Sequence, residues 1–363
     1  MTRPIPSERA NRAAPGCAAQ DRAVQDRAVQ DRAAQDRAVQ DRAVQDRAVQ
    51  DRAAQDRPTQ DRVETPLRSV KGAMPEPVKV GLRRSTRTFG RVTHRWRTHP
   101  DFLIIGTKRG GTTSLWNAML GHADVLPLFP GLQEMKSPHY FDIDYWRGDC
   151  WYRSFFPTYR QRARHLRLTG HHAIAGEASP YYMFHPLAAD RIAKDVPGVK
   201  LIVSLRNPVD RIWSHYNERV AGHSENLAFE QALAVEGDRL AGEVERIEQC
   251  DPNYYSRHHD LSSYLARGRY WEHLSRFVAR FGPDQLLVLR AEDFYANPRD
   301  ELAKVARHLD IHPARFGEVA HYNRIPRDTL APDVRARLTA YYRPHVAELQ
   351  SGLDRDFGWA GFQ

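Results

Sequence analysis

A chain of 363 residues has room for one large domain or two ordinary ones, and 27% charged against 41% hydrophobic residues is a dilute core by globular standards. Its formal net charge of +9 suits an anionic ligand such as a nucleotide, an acidic glycan or a membrane surface, without choosing among them. No stretch approaches the ~20 apolar residues of a membrane span, and no uninterrupted apolar run near Met1 reads as a signal peptide. Three widely spaced cysteines, Cys17, Cys150 and Cys250, make neither a disulfide framework nor a metal motif, so a reducing, cytoplasmic setting is expected.

Residues 18–62 are nine consecutive pentads of the type AVQDR, from Ala18-Ala19-Gln20-Asp21-Arg22 to Pro58-Thr59-Gln60-Asp61-Arg62. A five-residue period matches neither helix nor strand. On a helix it turns Ala and Val by about 140° per repeat, which builds no apolar stripe. Residues 1–62 are therefore expected to be a solvated tail, partly helical or disordered. Residues 63–100 read as a basic linker, with Arg83, Arg84, Arg87, Arg91, Arg95 and Arg97 interleaved with Phe89 and Trp96. Residues 83–97 of that linker can contact an anionic membrane, or simply pack an aromatic on the domain.

From residue 101 to 363 the composition becomes globular. Phe102-Leu-Ile-Ile105, Leu201-Ile-Val-Ser-Leu205 and Gln285–Leu289 read as buried strands; Thr113–Leu120 and Tyr270–Phe281 read as helices. Strands alternating with helices predict one α/β domain whose central parallel sheet is flanked by helices.

The sharpest local signal lies between the first strand and its helix: Gly106-Thr107-Lys108-Arg109-Gly110-Gly111-Thr112-Thr113-Ser114. Glycines let consecutive backbone N–H groups converge on one anion, and the following helix N-terminus adds partial positive charge. Lys108 supplies a full charge, and Thr112, Thr113 and Ser114 supply hydroxyls. Against the nucleoside-triphosphate loop G-x-x-x-x-G-K-[ST], Gly106, Gly111 and Thr113 fall in register, but Thr112 holds the lysine position. No acidic strand end completes a magnesium site, and no metal is expected.

After the second strand comes Arg206-Asn-Pro-Val-Asp-Arg-Ile-Trp-Ser214. Arg206 sits at the strand's carboxyl end, where open α/β sheets bind ligands, and Asn207 or Asp210 can cap the helix that carries Ser214. The guanidinium fork of Arg206 suits a dianionic phosphate.

The KRGGTTSL run (108–115) resembles the 5′-phosphosulfate loop of sulfotransferases that use 3′-phosphoadenosine-5′-phosphosulfate (PAPS), particularly the heparan sulfate branch. Arg206 and Ser214 resemble that family's 3′-phosphate motif. The family's E-x-[ST]-P-x-Y segment is similar to Glu177-Ala-Ser-Pro180-Tyr181-Tyr182. The run Tyr264-Leu-Ala-Arg-Gly268-Arg-Tyr270-Trp-Glu-His273-Leu resembles the G-x-Y-x-x-H-L segment near the nucleotide. Tyr341–His345 and Arg355–Trp359 resemble the closing helix and terminus, and Asn323-Arg324 falls where the family has a basic loop over the nucleotide.

This resemblance, over about residues 101–360, implies a P-loop-like fold and sulfuryl transfer from PAPS by direct in-line displacement, leaving 3′,5′-ADP. Lys108, Arg109, Gly110, Gly111, Thr112, Thr113, Ser114, Arg206, Ser214, Tyr264 and Arg324 would hold the donor. Lys108 would also stabilise charge on the leaving phosphate. The implied acceptor is a glycan, glycolipid or metabolite hydroxyl or amine, not a nucleic acid; without a membrane anchor in view, a bacterial enzyme is the expectation.

One position departs from the family. Its catalytic Glu lies in a segment like K-E-x-H-F-F-D, which here reads Lys136-Ser137-Pro138-His139-Tyr140-Phe141-Asp142. Serine takes no proton at neutral pH, so Glu134, His139 and Glu177 remain as alternative bases. A nucleotide-binding homologue impaired in catalysis and an ATP-dependent kinase are the competing readings.

Overall fold

A computed structural model describes residues 85–131, 135–249, 254–317 and 330–362, all within the unit Thr65–Gln363. The pentad tail, Cys17, Glu134, Cys250 and Arg324 lie outside the described residues. In chain order the elements run α1 (residues 85–92), β1 (Phe102–Gly106), α2 (Thr112–Leu120), α3 (Gly148–Arg153), α4 (Tyr159–Thr169), β2 (Gly176–Ala178) and α5 (Ala188–Asp195). Next come β3 (Lys200–Leu205), α6 (Pro208–Ala221), α7 (Phe229–Ala234), α8 (Glu236–Leu240), α9 (Glu243–Gln249) and α10 (Arg257–Leu261). The chain closes with α11 (Tyr270–Val278), β4 (Leu286–Arg290), α12 (Ala291–Ala296), α13 (Pro298–Leu309) and α14 (Pro332–Leu353).

The four strands form one sheet in the order β2-β1-β3-β4, every pairing parallel. The expected α/β architecture is thus observed. The three long apolar runs become β1, β3 and β4, while β2 is too short to show a pattern in the sequence.

Alternation along the strands builds two cores. Leu103 and Ile105 of β1, with Leu201, Val203 and Leu205 of β3, face a cluster completed by Ile212 of α6, Leu274 and Phe277 of α11, and Tyr342 of α14. Phe102, Ile104 and Ile202 face the other way, against Leu115 and Met119 of α2 and Leu302 and Val305 of α13. A strand covered on both faces must be apolar throughout, which is why β1 and β3 read as continuous runs.

Chain order places β2 and β3 on opposite sides of β1. Connections leaving adjacent β1 and β3 therefore diverge, and a crevice opens at their carboxyl ends. The loop after β1 and Arg206 after β3 both start there. On the N-terminal side, residues 85–97 of the expected linker pack onto the domain: Arg87 lies over the Phe155 ring at 3.9 Å, and buried Arg97 donates to the Phe156 carbonyl at 2.7 Å.

Ile202 is fully enclosed between two strands and the α2/α13 layer. Ile202→Ala should lower unfolding free energy by about 2–5 kcal/mol in urea titrations followed by circular dichroism. Leu286→Ala, on half-buried β4, should cost less than Ile202→Ala in the same titration.

Candidate active site

The loop after β1 is stitched to β3. Thr107 N–H donates to the Ser204 carbonyl at 3.0 Å, and Ser204 Oγ donates to the Gly110 carbonyl at 2.6 Å. A Cβ on Gly110 would lie 2.4 Å from the Ser204 carbonyl oxygen, so only glycine fits against that backbone. Gly111 then turns the chain at φ +86° into α2. No side chain caps that helix, so its first N–H groups and its dipole remain directed at the crevice.

Lys136 reaches this helix end, while Arg109 and Lys108 lie among the charges of α6 and the residues beyond it. Lys136 donates from Nζ to Thr112 Oγ1 at 2.9 Å and to Thr113 Oγ1 at 3.2 Å. Arg109 leaves the loop at φ 67° and donates from Nε to Ser214 Oγ at 3.0 Å and from Nη1 to Glu218 at 3.3 Å. Lys108 enters a field shared by Arg219, Asp260, Glu218 and Arg267; desolvation first, then Arg219, push its pKa down to about 7. Ser114 follows on the first turn of α2, half-buried.

On the β3 side, Asn207 caps α6 by accepting from Val209 N–H at 3.0 Å, with Pro208 at the first helical position. The half-buried Arg206 has its backbone pinned by Tyr270, whose hydroxyl donates to the Arg206 carbonyl at 2.7 Å. Ser214, one face of the helix further on, is buried and bound to Arg109. Arg109 therefore joins the loop to the helix that carries Ser214.

The third wall comes from residues 136–142 and β2. Ala178 N–H donates to the Lys136 carbonyl at 2.9 Å, so this segment runs along the edge of β2. Glu177 is fully buried and accepts from Ser137 Oγ, from Tyr152 at 2.7 Å and from Tyr182 at 3.0 Å. Burial outweighs these three donors and pushes its pKa up to about 7. His139 sits at φ 56°, with Nδ1 3.0 Å from Asp142 Oδ2; Ser179 Oγ donates to the same carboxylate oxygen at 2.7 Å.

A family model described as the sulfotransferase domain matches residues 99–322. The chain belongs to the sulfotransferase family. Among curated relatives, it is 24% identical to the membrane-associated sulfotransferase kil1 of Dictyostelium discoideum, over 72% of this chain and 66% of that protein. It is 26% identical to mouse heparan sulfate glucosamine 3-O-sulfotransferase 3A1, over 72% of this chain and 65% of the relative. The chain thus matches just under two thirds of those relatives' length. A solved sulfotransferase from Alicyclobacillus acidocaldarius is 27% identical, with a TM-score of 0.53, covering 72% of this chain and 98% of that one.

Within this sulfotransferase domain, the crevice gathers Lys108, Arg109, Gly110, Gly111, Thr112, Thr113 and Ser114 at one strand end and Arg206 and Ser214 at the next. His139 and Glu177 stand on the third wall. Glu134 and Arg324 are outside the described residues. Tyr264 is enclosed: its hydroxyl donates to Glu225 at 3.0 Å, and its ring packs against His215 behind α6. Reaching a nucleotide would require Tyr264 to leave that packing, so its observed work is to hold α6. The G-x-Y-x-x-H segment likewise braces the site. Tyr270 fixes Arg206, and buried His273, its pKa lowered to about 3 by desolvation, bonds the Ala266 carbonyl at 2.9 Å.

Lys136 is the site residue that spacing does not mark, since only its position beside Ser137 hints at it. Among the described residues, no cluster of three or more His, Cys, Asp or Glu could hold a metal.

The raised pKa of Glu177 has a consequence for stability. Its carboxyl keeps a proton to higher pH in the folded than in the unfolded chain. Its contribution is therefore full below about 4.5 and is lost as pH rises through about 7. Urea titrations from pH 4.5 to 8 should show wild type losing stability relative to Glu177→Gln across that window. A constant difference would mean the buried carboxyl does not titrate there.

Proposed function

We propose that this chain transfers a sulfuryl group from PAPS to a hydroxyl or amine on a carbohydrate, glycolipid or small metabolite. What supports this reading is the uncapped α2 N-terminus with Lys136 on its threonines, next to Arg206 at the neighbouring strand end and to Arg109, which bonds Ser214; we assign these as two anion seats. A donor with a phosphosulfate at one end and a 3′-phosphate at the other needs two seats; a simple phosphate ester needs one. The residues fit that donor without a metal. Uncapped N–H groups and three hydroxyls meet the sulfuryl oxygens, and Lys108 or Lys136 offsets charge on the departing phosphate. The acceptor oxygen then bonds to sulfur as the bridging bond to phosphate breaks, and 3′,5′-ADP leaves.

A kinase reading is disfavoured by Thr112 at the lysine position and by the second seat. The names of the heparan sulfate relatives favour a glucosamine-type acceptor here, and the basic crevice suits an acidic glycan. We place the enzyme in the cytoplasm. No helix among the described residues is long and apolar enough to cross a membrane.

Calorimetric titration in metal-free buffer tests the donor. 3′,5′-ADP should bind at micromolar affinity and ATP more weakly, with Arg206→Ala losing tenfold or more. An anion beside Lys108 should raise its pKa from about 7, so binding at pH 8 should take up a proton. Titrations in buffers of different ionisation enthalpy measure that uptake, which Lys108→Ala should abolish. Preference for ATP restored by Mg²⁺ would overturn the assignment.

The α1 region supports peripheral contact with anionic membrane. Phe89, Val92 and Trp96 are 57%, 72% and 65% exposed, beside exposed Arg91 and Arg95. Sedimentation with phosphatidylserine vesicles should retain the protein, weaken with salt and weaken further in Trp96→Ala, while neutral vesicles leave it in solution. Equal behaviour with both vesicle types would remove this contact.

A further inference from the structure

Serine at position 137 would seem to leave the reaction without a base. The hydrogen bonds around it give it a different role. His139 N–H donates to Ser137 Oγ at 2.9 Å, which uses one lone pair and turns the serine proton toward Glu177 Oε2. Tyr182 is fixed the same way: its oxygen accepts Tyr140 N–H at 3.1 Å, so its own proton goes to Glu177 Oε1. Tyr152 donates to that same Oε1. Among the described residues, Oε1 thus accepts from two phenols, and Oε2 accepts from Ser137. Among the described residues, the hydrogen-bonded path from this buried carboxylate to a partly exposed hydroxyl runs through Ser137.

The other face of Ser137 is open. The residue is partly exposed, and the preceding Lys136 reaches the Thr112 and Thr113 hydroxyls at the α2 N-terminus. Ser137 is therefore bonded to a fully buried carboxylate on one side and is one residue from the lysine that reaches the α2 N-terminus on the other.

We propose that Ser137 and Glu177 form a two-proton relay that deprotonates the acceptor, Ser137 touching the acceptor and Glu177 serving as the base behind it. This rests on the sulfuryl-transfer function proposed above. As the acceptor oxygen bonds to sulfur, its proton passes to Ser137 Oγ and the Ser137 proton passes to Glu177 Oε2. The bond from sulfur to the bridging phosphate oxygen breaks, and 3′,5′-ADP leaves with that electron pair. After the acceptor product departs, Glu177 returns its proton through Ser137 to water.

Energetically, the serine need not be an alkoxide at any stage; it exchanges one proton for another. Desolvation holds the Glu177 pKa near 7, against the three hydroxyl donors and nearby His139, so the base is half-ionised at neutral pH and strong enough to pull.

The test follows conversion of PAPS to 3′,5′-ADP by the full chain, with N-sulfated glucosamine oligosaccharide as acceptor and with water alone, from pH 5.5 to 9. Ser137→Ala should lose roughly 10²-fold in kcat/KM while 3′,5′-ADP affinity is unchanged. Glu177→Gln should lose a similar factor and also the rising limb near pH 7. The double variant Ser137→Glu with Glu177→Gln should recover at least tenfold over Glu177→Gln, because a carboxylate then meets the acceptor directly. In mixtures of H₂O and D₂O, wild type should show a curved dependence from two protons in flight. Ser137→Ala at the wild-type rate, or a pH limb that survives Glu177→Gln, overturns the relay. So does a wild-type chain that binds 3′,5′-ADP but turns over no PAPS. Absence of 3′,5′-ADP binding would instead overturn the function on which the relay rests.

Discussion

Everything at the crevice depends on how closely the loop after β1 lies against β3. The Gly110 backbone is seated on the Ser204 carbonyl with no room for a side chain, and Ser204 closes the contact from its own hydroxyl. That contact sets where α2 begins, and hence where its free N–H groups point. It also fixes the loop relative to Arg206, which follows the end of β3 two residues after Ser204. A loop shifted by an ångström would keep its charges but lose the alignment on which in-line transfer depends. The many groups behind it, from Tyr270 on the Arg206 carbonyl to Asn207 at the α6 cap, hold β3 and its exit still against this one contact.

Desolvation then tunes the site from both sides. Lys108 starts at 10.5 and Glu177 at 4.5, and burial brings both to about 7. The same physical cause acts on opposite charges: a low-dielectric wall disfavours the ionised form of each. On the proposed function, the cost at Lys108 is relieved when the anionic donor arrives. For Glu177 no counter-ion arrives. Its compensation is the three hydroxyls, which solvate the carboxylate without neutralising it, and so leave it basic.

Much of the fold was legible because β1 and β3 are covered on both faces, which makes their sequences apolar without interruption. β2 escaped because three residues, Gly176-Glu177-Ala178, carry no period, and its middle residue is a charged side chain buried for chemistry rather than packing. The turn after β1 and the start of α6 were legible because backbone geometry demands particular residues there: glycine at 110 and 111, Asn-Pro before α6. Lys136 was not, since its partners Thr112 and Thr113 lie 24 and 23 residues away and only the folded chain brings them together. Tyr264 and His273 are buried, each with its hydrogen bond inside the domain. A motif near a nucleotide pocket contains residues that shape it from behind, and sequence does not distinguish those from residues that line it.

Ser137 illustrates why a missing catalytic type is weak evidence of a missing activity. A glutamate at 137 would stand within hydrogen-bond reach of Glu177, and two carboxylates at that distance in a desolvated wall cannot both ionise. Either one would hold its neighbour's proton, or one would need a cation to itself. Serine removes that conflict. It leaves a single carboxylate with a defined protonation site, and it offers a hydroxyl where the second carboxylate would have stood. In the proposed relay the base then lies one hydrogen bond deeper, away from water. A buried carboxylate linked to the surface by one hydroxyl is a more secluded base than an exposed one, and the β2 edge, through Ala178 N–H on the Lys136 carbonyl, holds the Lys136–Ser137 segment beside Glu177.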